Sequence, residues 1–300
     1  MRIRYPLALK LFVRPSFDSD QGSRIANRSA LLIPHLLATV AWRTFYFLKF
    51  FFHRTAASRK NLRRQAVELE GKGIGRTLYL IATGPSLLRT HIPFGDTVDH
   101  ATLSNGFLYA AKLSLSPAYQ FFAAWHYPVE KQSYLNWISR ADLELPEMTI
   151  FFFMEESRED VKRLGIENKR KVIFLATDPM PFSYRPRLDR PLLRPQSIPI
   201  LALHAAMAMK YKRVVLVGCD HNILLNFGDN IKHAYNNDDD IRKGSSDKEA
   251  WLGIIENHWF SLNVFLQYKY LLDECRSSTM VYRATSEGWL DFVPPLESEI

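Results

Sequence analysis

Three short polar clusters stand directly after apolar, β-forming runs. Thr83-Gly84-Pro85-Ser86 closes the run that opens at Thr77, Ser104-Asn105-Gly106 closes a second, and Gly218-Cys219-Asp220-His221-Asn222 closes the run Val214-Val215-Leu216-Val217. A glycine lets the backbone approach a ligand, a proline fixes φ for a first helical turn, and Ser86 sets a hydroxyl beside unpaired amides. Phosphate or ribose chemistry is what such a turn serves. Asn105 and Asp220 add an amide and a carboxylate at neighbouring strand ends.

Proton transfer needs a group that titrates near neutrality, and imidazole is the natural one. The candidates are His221, His233 in His233-Ala234-Tyr235, and His258 in a long helical stretch over residues 251–274. His204 sits in an apolar helical stretch and reads as packed. Asp238-Asp239-Asp240 carries ligands that suit Mg²⁺, but it follows Asn236-Asn237 in a polar segment with no apolar strand before it, so it reads as a solvated loop. Cys219, with no base partner in sequence, reads as packing rather than as a nucleophile.

The elements that must position these residues follow from the pattern. Strands are expected at the run from Thr77, then at 101–104, 119–124, 148–153, 171–176, 214–217 and 279–283, with helical text at 155–164, 199–211 and 251–274. Alternation of this kind predicts an α/β fold, a Rossmann-like parallel sheet with helices on both faces, whose ligands collect beyond the carboxyl ends of the strands. Asn105, Trp125, His126, Tyr127 and Asp178 all fall at such ends. Residues 179–199, rich in Pro and Arg, show no clear element and suit a lid or a surface excursion. Gly71 to Gly75 reads as a flexible link, which divides the chain into 1–76 and 77–300.

The 300 residues carry a net charge of +8, but residues 1–76 hold fifteen Lys and Arg against four Asp and Glu, leaving the remainder near −3. The high pI therefore belongs to the N-terminal segment. Residues 30–52 are long enough to span a bilayer, yet Arg43 near their middle would cost roughly 2.5–3.5 kcal/mol there. Aromatic residues from Trp42 to Phe52, followed by Arg54, Arg59, Lys60, Arg63 and Arg64, suit instead an amphipathic anchor on an anionic membrane surface, formed by residues 30–64. No nucleic-acid-binding pattern accompanies the basic run. Two cysteines and a start without a signal-peptide core predict a reducing, cytoplasmic setting, at the inner face of the cell membrane.

Taken together, the Gly84-Pro85-Ser86-Leu87 turn, the Ser104-Asn105 strand end and the unit from Ala208 to Asp220 resemble the bacterial family 42 sialyltransferases. Maf-type flagellin glycosyltransferases and MptE-like pyrophosphokinases are more distant likenesses. The resemblance covers roughly residues 77–292 and implies metal-independent transfer of a nonulosonic acid from a CMP-activated donor, a co-substrate, to a glycan acceptor. Carried over residue by residue, it implies that Gly84, Pro85, Ser86, Asn105, Gly218 and Asp220 border the donor, with Thr83, Asn222 and Tyr235 as further candidates, His233 or His258 as base, and Tyr235, His221 or an arginine of residues 185–194 toward the leaving phosphate. Thr83 stands where the family has Asn, and His221-Asn222 replaces an aromatic residue and Tyr. The alternatives are an MptE-like enzyme using ATP and Mg²⁺, which would give Asp238 to Asp240 a purpose, and a non-catalytic nucleotide-binding scaffold. An oligomer is compatible with all three.

Overall fold

Parallel pairing sets the architecture, as the near-continuous apolar strand sequences require for a sheet covered on both faces. The computed structural model describes residues 44, 56–110, 112–126, 129–178, 185–221, 254–275 and 277–296. The chain forms two compact units, Met1–Asn61 and Leu62–Ile300, and the sheet belongs to the second. Its strands are β1 (Thr77–Ile81), β2 (Val98–Leu103), β3 (Tyr119–Phe121), β4 (Ile150–Met154), β5 (Val172–Leu175), β6 (Thr177–Asp178), β7 (Leu192–Leu193), β8 (Arg213–Val217) and β9 (Met280–Arg283). Seven of them form one sheet in the order β5-β4-β3-β2-β1-β8-β9, while β6 and β7 pair separately. Every pairing is parallel. This is a Rossmann-like α/β fold, and the chain reverses its direction of travel across the sheet at β1, the switch point where such sheets open a crevice.

The helices are α1 (Ala56–Leu69), the one-turn α2 (Phe107–Ala110), α3 (Lys131–Glu144), α4 (Arg158–Arg163), α5 (Ile198–Ala208) and α6 (Ile254–Lys269), the last extended by a π-turn over Tyr270–Glu274. Alternation along each strand sorts the two faces. Tyr79, Ile81, Phe151, Phe153, Val215 and Val217 join one core cluster with Leu135 and Ile138 of α3 and Val161 of α4. The opposite face, with Leu78, Leu80 and Phe152, is also fully buried, and α5 packs there against β1 and β2. Ten of the eleven residues of α5 are buried, which explains why its sequence shows no polar stripe. Facing strands stack Phe121 on Phe152 at 4.4 Å and Phe122 on Phe153 at 4.7 Å.

The amino-terminal rim of the sheet is tied by ion pairs and a glycine. Arg76 donates through Nε and Nη2 to the two Asp99 oxygens at 2.6 Å each, and the Tyr211 hydroxyl donates to Asp99 at 2.7 Å. Burial alone would raise the Asp99 pKa, but these donors hold it below the usual range. Gly73 donates its N–H to the Met209 carbonyl at 3.0 Å, and a Cβ there would lie 2.5 Å from Tyr211 Cγ. The stretch expected to be a flexible link is therefore a packed turn, its glycine required by close backbone approach. The compact unit begins ahead of it, at Leu62, where Leu62, Gln65 and Leu69 form the buried stripe of α1.

Within the excursion at 179–199, residues 179–184 lie outside the described residues, and the rest contains a strand that the sequence reading lacked. Leu192–Leu193 pairs with Thr177–Asp178, and the Leu193 N–H donates to His204 Nδ1 at 3.1 Å. No described helix is long and apolar enough to cross a membrane. The expected anchor falls almost wholly outside the described residues, which retain Thr44 and the helical residues from Ala56 onward.

Candidate functional site

Register brings the three polar clusters together. Ile81 is paired with Thr102 on one side and Val217 on the other, so the residues that follow β1, β2 and β8 emerge at one edge. Two backbone bonds then continue the contact past the strand ends, Ala82 N–H to the Val217 carbonyl and Gly84 N–H to the Gly218 carbonyl, both 2.8 Å. Gly84 has ordinary extended dihedrals, φ −68 and ψ 156. Its role is room, since a Cβ would lie 2.5 Å from both Asp220 Oδ2 and the Gly218 carbonyl. Gly218 is needed for conformation as well, with φ +64.

Asp220 occupies the position that the sequence reading reserved for a phosphate. Its Oδ2 accepts the Ser86 N–H at 3.0 Å and its Oδ1 accepts the Ser86 hydroxyl, with both residues buried. The turn after Gly84 is a short 3₁₀ helix, Pro85–Arg89, rather than the start of an α-helix. The donors of Ser86 are thus committed to a carboxylate of the same chain, and a phosphate there would meet a negative charge. Pro85 opens the turn as expected, and Thr83 precedes it half-buried.

Asn105 supplies the polar atom without a partner. It lies in a 3₁₀ turn, Ser104–Gly106, is 5% exposed, and its Oδ1 has no hydrogen-bond partner. Gly106 brings this turn against β1, because a Cβ there would be 2.6 Å from the Ile81 carbonyl. Ser104 is held in the left-handed region at φ 50, with its carbonyl accepting from Gln120 Nε2 at 3.0 Å. Gln120 is fully buried on β3 and also accepts the Thr102 hydroxyl at 2.5 Å. Positive φ at a non-glycine residue costs free energy and persists where surrounding bonds enforce it. Ser104 and His221, at φ 49, place such strain on both strands that flank β1.

His221 is half-buried, its Nε2 lies 3.0 Å from the Tyr268 hydroxyl, and its ring meets Tyr268 and Phe265 edge-on at 5.3 and 6.5 Å. Desolvation lowers its pKa to about 4, which favours the neutral imidazole. His258 is exposed on α6. It shares a helical face with Ser261, Phe265 and Tyr268 and stands roughly 10 Å beyond Phe265 along the axis at about 1.5 Å per residue. Asn222, His233, Tyr235 and Asp238 to Asp240 lie outside the described residues, as does Tyr127. Cys219 is buried, which raises its thiol pKa and fits packing. Of the arginines at 185–194, Arg187 pairs with Asp189 at 2.6 Å and Arg194 with Glu156 at 2.9 Å. Among the described residues no group of His, Cys, Asp or Glu is arranged to hold a metal ion.

A fourth wall was missed in the sequence. Gly288, at φ +88, lies so close to Asp220 that a Cβ would be 2.9 Å from its carbonyl, and the Trp289 N–H donates to that carbonyl at 3.0 Å. Arg89 pairs with Glu287, joining this loop to the Pro85–Arg89 turn. The available signal was a glycine and a tryptophan just past the last strand of a parallel sheet.

His204 behaves as the packed residue expected, 1% exposed, with burial lowering its pKa to about 3. Three desolvated imidazoles, those of His100, His204 and His221, make stability depend on pH. Below 6.5 the unfolded chain binds more protons than the folded one, so this stability is complete above 6.5 and declines as pH falls toward the folded values. The urea midpoint is expected to drop between pH 6.5 and about 4, and less steeply in His204→Gln. Parallel declines in the two proteins would contradict this.

The fold and the strand-end contacts thus define a Rossmann-like α/β protein with a cluster of polar residues at the switch point of its sheet. No protein-family model, curated protein or solved structure matches the chain.

Proposed function

We propose that the chain is a glycosyltransferase that binds a nucleotide-activated sugar, CMP-linked, at the carboxyl ends of β1, β2 and β8. The observation that carries this reading is the buried, unpartnered Oδ1 of Asn105, in a turn that packs through Gly106 on the carboxyl end of β1. A buried acceptor without a donor costs about 1–3 kcal/mol, and a ligand N–H or O–H, such as a cytosine amine or a sugar hydroxyl, would satisfy it. Asp220 and Ser86 fix the adjacent wall by their mutual bonds, while Thr83 and Gly84 border the donor.

In the reaction, the acceptor hydroxyl attacks the anomeric carbon as the bond to the CMP phosphate breaks. The hydroxyl proton passes to His233 or His258, and the leaving phosphate takes hydrogen bonds from neutral His221, Asn222 or Tyr235. Such a donor already carries a good leaving group, so placed hydrogen bonds and one base suffice, and no metal is required. The acceptor is a cell-surface glycan, and the enzyme works at the inner, anionic face of the membrane, held there by residues 30–64.

A thermal-shift panel with CMP, CDP, UDP, GDP and ATP, each with and without Mg²⁺, tests this reading. It expects CMP to raise the melting temperature equally in both conditions. Stabilisation by ATP and Mg²⁺ alone would overturn it in favour of a pyrophosphokinase, and CMP stabilisation without turnover would indicate a scaffold.

A further inference from the structure

We infer that Tyr268 is a positioning residue for His221: its hydroxyl donates to Nε2, so His221 carries its proton on Nδ1 and offers that N–H to the phosphate of a bound nucleotide. The part played by the phosphate rests on the proposed function, whereas the tautomer is set within the chain itself.

Cys219, Tyr268 and His221 form a linked set of polar groups beneath the carboxyl end of β8. Cys219 Sγ lies 3.7 Å from the Val217 carbonyl, and a carbonyl can only accept, so this contact takes the thiol proton. The Tyr268 hydroxyl is bonded both to the Cys219 sulfur and to His221 Nε2, the latter at 3.0 Å. Tyr268 is 0% exposed, and burial pushes its pKa well above the usual phenol range. Its hydroxyl therefore keeps its single proton and shares it with no solvent. Of the two acceptors, a thiol sulfur is weak and a neutral imidazole nitrogen is strong. The proton goes to Nε2, and the bond at one ring nitrogen fixes the tautomer at the other.

The ring is also fixed in place. Phe265 and Tyr268 meet it edge-on, and the His221 backbone is held at φ 49, a conformation that persists only where its surroundings enforce it. The result complements the other side of β1. Asn105 Oδ1 is a buried acceptor without a donor, and His221 Nδ1–H is a donor for an acceptor. The strands they follow, β2 and β8, both pair with β1, so they stand two strand spacings apart, about 10 Å. A ligand that bonds both has that extent, with a donor at one end and an anionic acceptor at the other, which suits a nucleotide and not a free phosphate.

Two measurements on the full chain test this. Long-range ¹H–¹⁵N spectra, with the His221 signals identified by their loss in His221→Gln, are expected to show Nε2 unprotonated and Nδ1 protonated, in the parent and in Cys219→Ala alike. A protonated Nε2 in the parent would overturn the inference, because Tyr268 would then accept from His221 and donate to Cys219. In binding titrations, Tyr268→Phe is expected to weaken CMP at least about tenfold, the worth of one bond to a charged group, and to leave cytidine, which lacks the phosphate, unchanged. Equal losses for CMP and cytidine would overturn it and mark Tyr268 as packing only. A parent that binds neither ligand would sink the nucleotide reading, and the parent spectrum would still decide the role of Tyr268. The same spectrum decides it should Tyr268→Phe fail to fold.

Discussion

Asp142→Ala is expected to destabilise the folded chain by about 3–5 kcal/mol, because it strips the counter-charge from a buried guanidinium. Arg170 donates through Nε to Asp142 Oδ1 at 2.6 Å and through Nη2 to the Asp142 carbonyl at 2.5 Å, and the two side chains are only 2% and 3% exposed. The same guanidinium reaches the carbonyls of Pro146 and Leu145 and lies 4.2 Å above the Phe151 ring. Those contacts survive the substitution and place the loss toward the lower end of the range. Replacing both partners, Asp142→Leu with Arg170→Met, is expected to recover most of it, since no buried charge then remains. Urea denaturation of the three proteins reads the difference. A loss under about 1 kcal/mol would show that water reaches the pair. The pair joins α3 to the start of β5, far along the chain from the candidate site, so nucleotide binding by the folded fraction is expected to persist.

Asp220→Ala is expected to cost about 2–4 kcal/mol and, in addition, to weaken nucleotide binding at least about tenfold. Both Asp220 oxygens accept from Ser86, and the Ser86 N–H and hydroxyl would be left buried without an acceptor. Without the carboxylate, only the Gly84 to Gly218 backbone bond and the loop at Gly288 to Trp289 would hold the turn's position. Asp220→Asn keeps one acceptor oxygen and the shape, so it should lose roughly 1 kcal/mol and bind nucleotide more nearly as the parent does. Denaturation and CMP titration on the same samples separate the two effects. An alanine variant as stable as the parent would mean that the Asp220–Ser86 contact is incidental.

Much of the fold was legible because parallel strands announce themselves. The runs at Thr77, Ala101, Met148, Lys171 and Val214 are apolar, short and bounded by turn residues, and each became a strand within a few residues of its expected limits. What stayed hidden depends on contacts between residues distant in sequence. Leu192–Leu193 looks like part of a proline-rich loop until Thr177–Asp178 pairs with it. Gly73 looks like a flexible link until Tyr211 packs on it, and the loop at Gly288 is anonymous until it closes on the Asp220 carbonyl.

The candidate site divides in the same way. Gly84, Pro85, Ser86, Asn105, Gly218 and Asp220 were found from strand-end chemistry, and register brings them to one edge. The pairing of Asp220 with Ser86 could not be read, because 134 residues separate them. Nor could the state of His221, whose low pKa arises from desolvation beside Tyr268 and Phe265 rather than from its neighbours in sequence.

The most direct test of the nucleotide site is a crystal structure of the chain grown with CMP. The proposed function predicts the nucleotide at the carboxyl ends of β1, β2 and β8, with one of its donors within about 3.2 Å of Asn105 Oδ1. A site left empty at saturating CMP, or CMP bound elsewhere with Asn105 still unpartnered, would contradict it.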